Sequence, residues 1–456
     1  MGKYFGTDGI RGRANDTLTC ELAYRTGAAL AHVIGEERGS APRILIGRDT
    51  RISGSMLEAA LIAGICAAGG AAVSLGVLPT PAVAFVTAGD AAADAGIVIS
   101  ASHNPFGDNG IKIFGAGGFK LTDGQEARIE EYIDALPEHI IKTGGAIGTA
   151  ERADENAARS YIEHIVRAAP EGLNGLRVAV DCANGAASVT ARRIFAELGA
   201  EAVFLADKPD GVNINDGCGS TDMDALASFV RAGGFDIGVA FDGDADRCLF
   251  TDEHGELIDG DKVIGVLAED MQRGGTLRGG AAVTVMSNMG LLAFLAERGI
   301  AVRTTAVGDR YVLEEMERSG FNIGGEQSGH VILRDWATTG DGQLTAVRLL
   351  SCLRRRGCRA SELAAAIERY PQVIVNIEVP AEIKKLIAAS ESVRSKVSHM
   401  ENTFENRARV LVRPSGTENK VRIMAEGKDP LVVRELAELA ENVIRIEIEH
   451  LKNGGK

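Results

Sequence analysis

Three stretches of this chain repeat one pattern: an apolar β-run ends in a polar loop, an amphipathic helix follows, and a second and a third β-run complete the set. The first runs are 43–51 (RILIGRDTR), 177–185 (RVAVDCANG) and 282–290 (AVTVMSNMG). The second are 72–81, 202–211 and 301–310, and the third are 94–102, 236–244 and 322–328. Strands alternating with helices of about fifteen residues build βαβ units around a mainly parallel sheet, which binds ligands beyond the carboxyl ends of its strands. The loops after the third runs are therefore where chemistry is expected. The period differs between copies, which marks a repeated domain and not a solenoid. A chain of 456 residues also exceeds what one core can fill.

In the first copy, Ser55 and Glu58 have capping-box spacing, and Leu57, Leu61 and Ile65 recur on one helical face expected to be core. After Pro371 the pattern changes. Residues 373–379, 410–412 and 421–425 read as strands, and Val432, Leu436, Leu439, Val443 and Ile446 mark one face of a closing helix. The expected fold class is α/β: three similar α/β domains with mainly parallel mixed sheets, plus a C-terminal α+β domain. The boundaries fall at 1–155, 156–256, 257–370 and 371–456.

The formal net charge of −14 repels nucleic acid and anionic membranes, so neither is expected as a partner. A phosphate site on such a chain needs a local cluster of Arg and Lys. The seven cysteines form no CxxC pair, as free thiols of a reducing compartment would. No cleavable signal opens the chain and no uninterrupted apolar span of about twenty residues occurs, so a cytoplasmic protein is expected.

Four loops and the opening turn carry the candidate chemistry. Residues 97–114 (IVISASHNPFGDNGIKIF) end an apolar run with Ser102, His103, Asn104 and Lys112, a hydroxyl beside proton carriers and a cation. Asp242, Asp244 and Asp246 alternate directly after a β-run and precede Arg247. Three crowded carboxylates suit a hard cation that completes its shell with phosphate or water. An EF-hand is excluded, because its sixth position is Arg247 where Gly is needed and both flanks read as strands. Glu326, Gln327, Ser328 and His330 share one short loop able to bond sugar hydroxyls. Arg413, Ser415, Gly416 and Thr417, with Arg422 beyond them, offer a cationic fork and a donor nest suited to phosphate. The opening turn GTDGIR presents Arg11.

Together these loops resemble those of the α-D-phosphohexomutases, and the resemblance covers the whole chain. It implies four domains around a central cleft and transfer of a phosphoryl group through phosphorylated Ser102. It further implies one Mg²⁺ per chain held by Asp242, Asp244, Asp246 and the phosphoserine, with a sugar 1,6-bisphosphate as priming activator. The catalytic set is then Ser102, Lys112, Arg247, His330 and His103; His330 and Lys112 are the candidate proton carriers and His103 an orienting neighbour. Arg11, Glu326, Gln327, Ser328, Arg413, Ser415, Gly416, Thr417 and Arg422 are the substrate-binding set. The form GEQSGH, with VGDR and TTGDG, is typical of the branch acting on amino-sugar phosphates, whereas Asn419-Lys420 departs from the usual exit of the phosphate loop. Small sugar phosphates are the expected partners, with a homodimer left open, and a short connection at Tyr370-Pro371 is expected to act as a hinge. The rivals are the same chemistry on glucose or mannose phosphates, a non-catalytic sugar-phosphate sensor, and a metal-dependent phosphatase.

Overall fold

The computed structural model describes residues 2–6, 8–404, 407–414 and 419–452. The chain forms two compact units, Met1–Met286 with Arg298–Ala366, and Ser287–Glu297 with Ile367–Lys456. The first unit holds three sheets. One comprises β1 (Phe5–Gly6), β2 (Gly9–Arg13), β3 (Arg43–Arg48), β4 (Ala71–Val77), β5 (Ala95–Ile99), β6 (Asp108–Gly115) and β7 (Ala150–Arg152), in the spatial order β1-β2-β6-β5-β3-β4-β7. The next comprises β8 (Arg177–Asp181), β9 (Glu201–Leu205), β10 (Ile237–Phe241), β11 (Cys248–Asp252) and β12 (Leu257–Ile258), ordered β12-β11-β10-β8-β9. The third comprises β13 (Gly280–Thr284), β14 (Ala301–Thr305), β15 (Ile323–Gly325) and β16 (Val331–Leu333), ordered β14-β13-β15-β16.

Each sheet is built around a parallel triplet whose central strand is the first β-run of the repeat: β4-β3-β5, β9-β8-β10 and β14-β13-β15. In every case the third strand then returns antiparallel, as β6, β11 or β16. The connecting segments are too short for a parallel crossover, which needs a dozen or more residues, so a hairpin is the available route. The first sheet therefore carries as much antiparallel as parallel pairing. The same hairpin position holds Ser102 in the first sheet, the three aspartates in the second and Glu326 to His330 in the third.

Helices cover these sheets because their strands are apolar on both faces; Ile44, Leu45, Ile46, Ile97, Val98 and Ile99 are all buried. Helices Cys20–Arg38 and Gly54–Ala67 meet backbone to backbone. A Cβ on Gly64 would lie 2.0 Å from the Tyr24 carbonyl oxygen, and one on Gly27 would lie 2.5 Å from that of Leu61. Leu57, Leu61 and Ile65 are core, but the capping box expected at Ser55 and Glu58 does not form. Ser53 is the N-cap, and Glu58 is instead buried against Arg48 at 2.9 Å and the Ser74 hydroxyl at 2.5 Å. A buried ion pair outcompetes the terminal amides for that carboxylate.

Asp341 caps helix Gly342–Arg356, its Oδ1 accepting from the Leu344 amide at 2.9 Å and the Tyr161 hydroxyl at 2.8 Å. Burial pushes its carboxyl up to about 6, against the pull of those hydrogen bonds. A carboxyl harder to ionise when folded binds more protons in the folded state between about pH 4 and pH 6, so its contribution to stability falls as pH rises through that window. Asp341→Asn retains an acceptor and cannot ionise. Its stability relative to the unsubstituted protein should therefore rise by on the order of 2 kcal/mol between pH 4 and pH 7. Paired thermal melts across that range measure this, and a pH-independent difference would refute it.

The second unit carries the antiparallel sheet β17 (Gln372–Glu378), β18 (Ala408–Pro414) and β19 (Lys420–Gly427), ordered β17-β19-β18. Helices Ala381–Ala389, Glu391–Thr403 and Pro430–Lys452 belong to this unit, and the first two were not foreseen from the sequence. The closing helix buries Val433, Leu436, Ala437, Ala440, Ile444 and Ile448, with Val432 and Val443 packed against this core; of the expected face, only Leu439 and Ile446 lie outside it, 40% and 67% exposed. The buried stripe is centred on Val433, Leu436, Ala440 and Ile444, which leaves Leu439 and Ile446 at its solvent edge. Among the described residues no helix is long and apolar enough to cross a membrane.

Candidate functional site

The hairpin loops of the first two sheets meet in the first unit. Ser102 leaves β5 with a left-handed backbone, φ 51°, an uncommon conformation for a residue with a Cβ. Its buried hydroxyl donates to Asp242 Oδ2 at 2.6 Å and lies 3.3 Å from His103 Nδ1. Ala245 is also left-handed, φ 56°, and the turn it makes brings Asp242, Asp244 and Asp246 together. One oxygen from each of the three buried carboxylates lies within 4.8 Å of the others.

Cations surround this cluster. Lys112, on β6, places Nζ 2.9 Å from Asp244 Oδ2 and 3.2 Å from both Asp246 Oδ2 and Asp8 Oδ2. Burial opposes its charge, but Asp244, Asp8 and Asp246 outweigh that and hold the ammonium well above the usual lysine range. The Arg247 amide donates to Asp242 Oδ1 at 3.2 Å, and its guanidinium lies 3.8 Å from Asp246. Burial, with Asp246 and Asp244 alongside, pushes the Asp242 carboxyl well above the ordinary range. Asp244 Oδ1 and Asp246 Oδ1 are buried without a hydrogen-bond donor. Carboxylate oxygens crowded together and unsatisfied, beside one whose charge is disfavoured, are the environment that a bound divalent cation relieves.

Arg11, His103, Asp246, Arg247, Glu326 and His330 line one cavity of ≈ 470 Å³, together with Asp8 and Asp309. That volume lies within the range of small-molecule sites. Burial first, then Arg247 and Arg11, lower the His103 imidazole to about 4, so it is neutral at neutral pH. His330 is buried with Nδ1 3.7 Å from Asp246 and Nε2 3.7 Å from Asp309. Burial opposes its protonation while Asp246 and Asp309 favour it more strongly, which raises its pKa. The Gly340 amide, however, points at Nε2 from 3.1 Å and needs a lone pair there. The hydrogen bond decides the tautomer, leaving the proton on Nδ1 toward Asp246. Glu326 Oε1 accepts from the Gly308 amide at 3.1 Å.

The Gln327 amide donates to Asp259 Oδ2 at 3.3 Å, at the start of helix Gly260–Arg273, and is not among the residues lining this cavity. Successive residues of a tight hairpin point in different directions, and Glu326 has the inward one. Ser328 is exposed and also outside the lining, its hydroxyl 3.4 Å from Glu326 Oε2. In the second unit Arg413 and Arg422 stand directly opposite each other on β18 and β19. Burial and the Arg422 charge lower the Arg413 pKa. Like charges placed across a strand pair repel unless an anion joins them. Ser415, Gly416 and Thr417 lie outside the described residues.

Three half-buried charges here have roles that the sequence alone does not reveal. Asp8 pairs with Arg11 at 2.5 Å, and Lys120 Nζ bridges Asp8 Oδ1 at 2.8 Å and Asp309 Oδ2 at 2.6 Å. Asp8 and Asp309 stand in the quoted motifs GTDGIR and VGDR, whereas nothing local distinguishes Lys120 from a surface lysine.

The chain matches the family models of phosphoglucomutase/phosphomannomutase α/β/α domain I over residues 2–139, domain II over 159–255, domain III over 259–370 and the C-terminal domain over 374–445. It is 46% identical to the phosphoglucosamine mutase of Brevibacillus brevis, covering 98% of this chain and 100% of that one. With the phosphoglucosamine mutase of Rhodococcus erythropolis it shares 50% identity, covering 97% and 99%. Among solved structures, a phosphoglucomutase/phosphomannomutase family protein of Burkholderia thailandensis superposes with a TM-score of 0.81 at 25% identity, covering 96% of this chain and 97% of that one. The Aspergillus fumigatus N-acetylphosphoglucosamine mutase, solved with GlcNAc-6P and magnesium, shares the fold with a TM-score of 0.68 at 18% identity, covering 97% and 95%.

Proposed function

The chain belongs to the phosphoglucomutase/phosphomannomutase family, and on that basis we propose that it interconverts glucosamine 6-phosphate and glucosamine 1-phosphate through phosphorylated Ser102. The observation that carries the covalent reading is the Ser102 hydroxyl 2.6 Å from Asp242, at the edge of three clustered carboxylates. A binding module needs no such pairing of a phosphorylatable hydroxyl with a cation-holding cluster.

In the forward direction the free hydroxyl of the sugar attacks phosphorus, the bond between phosphorus and Ser102 Oγ breaks, and a 1,6-bisphosphate forms in the cavity. The hydroxyl proton ends on Ser102 Oγ as that oxygen leaves; His330 lines the cavity, but with Nδ1 protonated and Nε2 accepting from Gly340 it orients Asp246 and does not take the proton. Lys112, held charged among carboxylates, acts as a fixed cation beside the transferring group, and Arg247 assists it. His103, neutral and against Ser102, orients the nucleophile. The bisphosphate turns end over end and returns its other phosphate to Ser102, which regenerates the starting enzyme; the same bisphosphate, supplied free, primes unphosphorylated protein. Asp242, Asp244 and Asp246, with the Ser102 phosphate, fit Mg²⁺ by their oxygen donors and unsatisfied oxygens. When bound, the ion offsets charge on the transferring group. Arg11 binds substrate phosphate, and Arg413 and Arg422 are a second phosphate pair, with Ser415 to Thr417 as their neighbours in sequence. The seven free cysteines support a cytoplasmic setting.

Glu326 is the sugar-reading carboxylate of the cavity, able to accept from ring hydroxyls and to attract the ammonium of glucosamine. Glu326→Gln is expected to lose more activity on glucosamine phosphate than on glucose phosphate, by about 1–3 kcal/mol for a charge-assisted contact. Equal losses on the two sugars would remove the ammonium from its role. Turnover of glucosamine, glucose and mannose 6-phosphates by the unsubstituted enzyme tests the substrate assignment itself. A preference for glucosamine is expected, and a preference for either neutral sugar would overturn it.

A further inference from the structure

Arg51 is the largest fully buried side chain, and no step above uses it. It lies just beyond β3, and its guanidinium is fixed from every side. Nε donates to Asp49 Oδ2 at 2.9 Å. Nη2 donates to the carbonyl of Ser102 at 2.9 Å and to that of Asn104 at 2.7 Å. Nη1 donates to the carbonyl of Asp108 at 3.1 Å and also to that of Pro105. All five guanidinium N–H groups thus have acceptors: one is Asp49, three are backbone carbonyls of the loop that carries the nucleophile, and one is the carbonyl of Asp108 where β6 begins.

The other end of the network reaches the same residue. Asp49 Oδ2 accepts from the Ser100 hydroxyl at 2.6 Å, and the Ser100 Oγ accepts from the Ser102 amide at 2.9 Å. The amide and the carbonyl of Ser102 are therefore both tied to one buried ion pair. A left-handed serine is a strained conformation that persists only where its surroundings over-determine it; this closed ring of hydrogen bonds does so. The segment carrying Arg51 is also fastened to the part of the chain beside the aspartate loop. The Thr50 hydroxyl donates to the Asn184 carbonyl at 2.6 Å, and the Ile52 amide to that of Gly211 at 2.8 Å. Asn215 Nδ2 donates to the Ser102 and Asn104 carbonyls from that side, at 2.9 and 3.1 Å.

We propose that Arg51, with Asp49 and Ser100, is a positioning residue for phosphoryl transfer: it locks the Ser102 loop in its left-handed form and holds the hydroxyl at the aspartate cluster. Arg51 touches no reacting atom. This inference rests on Ser102 being the phosphorylated residue. A lysine at position 51 keeps the charge but offers three donors from a point, and it cannot reach four carbonyls arranged around a planar fork.

The test compares Arg51→Lys and Ser100→Ala with the unsubstituted full chain. Folding is measured by thermal melting, kcat and KM on glucosamine 1-phosphate at fixed sugar 1,6-bisphosphate, and phosphorylation by intact mass. Both variants should lose about 100-fold in kcat per folded molecule, the scale of a displaced reacting group, while KM stays within about twofold. Ser100→Ala removes no charge and decides the matter alone if Arg51→Lys does not fold. A Ser100→Ala enzyme with kcat within about threefold of the unsubstituted one, or a loss carried by KM, overturns the positioning role. A different failure is read from the unsubstituted protein: if bisphosphate adds no phosphoryl group to Ser102, the covalent reading falls whatever the variants do.

Discussion

Ser102→Ala is expected to lose mutase activity by at least about 1,000-fold, the scale on which removal of a covalent nucleophile acts. The variant should remain folded, because the loop is held through the backbone of Ser102, by Ser100, Arg51 and Asn215, and not through its hydroxyl. The lost bond to Asp242 is worth about 1 kcal/mol, a shift of about one degree in Tm for a unit of this size. Turnover of glucosamine 1-phosphate beside a thermal melt separates the two effects. Activity within about tenfold of the unsubstituted enzyme, in folded protein, would mean that phosphate is not carried on this serine.

Asp244→Asn should lower turnover by about 100- to 1,000-fold, corresponding to several kcal/mol of lost charge stabilisation, and weaken Mg²⁺ dependence at the same time. Asp244 accepts from the Thr80 hydroxyl at 2.5 Å and from Lys112 at 2.9 Å through one oxygen, and leaves the other without a donor. An amide there removes a negative charge that both Lys112 and a divalent ion need. It also turns an N–H₂ toward one cation or the other. A Mg²⁺ titration of activity measures both effects. If the variant keeps its turnover and a chelator leaves the unsubstituted enzyme fully active, the aspartates hold no catalytic cation.

Much of the site could be read from the sequence because it sits where local pattern is strongest. An apolar strand that stops in a polar loop announces a carboxyl-end loop, and Ser102, Asp242 and Glu326 each follow such a strand. The parallel triplets were legible for the same reason. What pattern could not convey was the partner of a charged side chain. Glu58 has the spacing of a cap yet sits in a buried ion pair with Arg48. Arg51 reads as one more loop arginine, and only the fold shows four carbonyls converging on it. Lys120 and Asp309 are far apart in sequence, so their contact at 2.6 Å has no local signature. On the closing helix, Ala437 and Ala440 share the buried face with Val433, Leu436, Ile444 and Ile448 but weigh little in a pattern that counts bulky residues, while Leu439 and Ile446 fit that pattern and lie beyond the buried edge.

The central claim is that Ser102 carries the phosphoryl group between the two positions of the sugar. Intact mass of the full-length enzyme, before and after incubation with a sugar 1,6-bisphosphate and Mg²⁺, tests it directly, with fragmentation to locate the modification. The expected result is a gain of one phosphoryl group on Ser102, which is discharged when excess glucosamine 6-phosphate is added. No gain, a gain at any other residue, or the same gain in Ser102→Ala would contradict it.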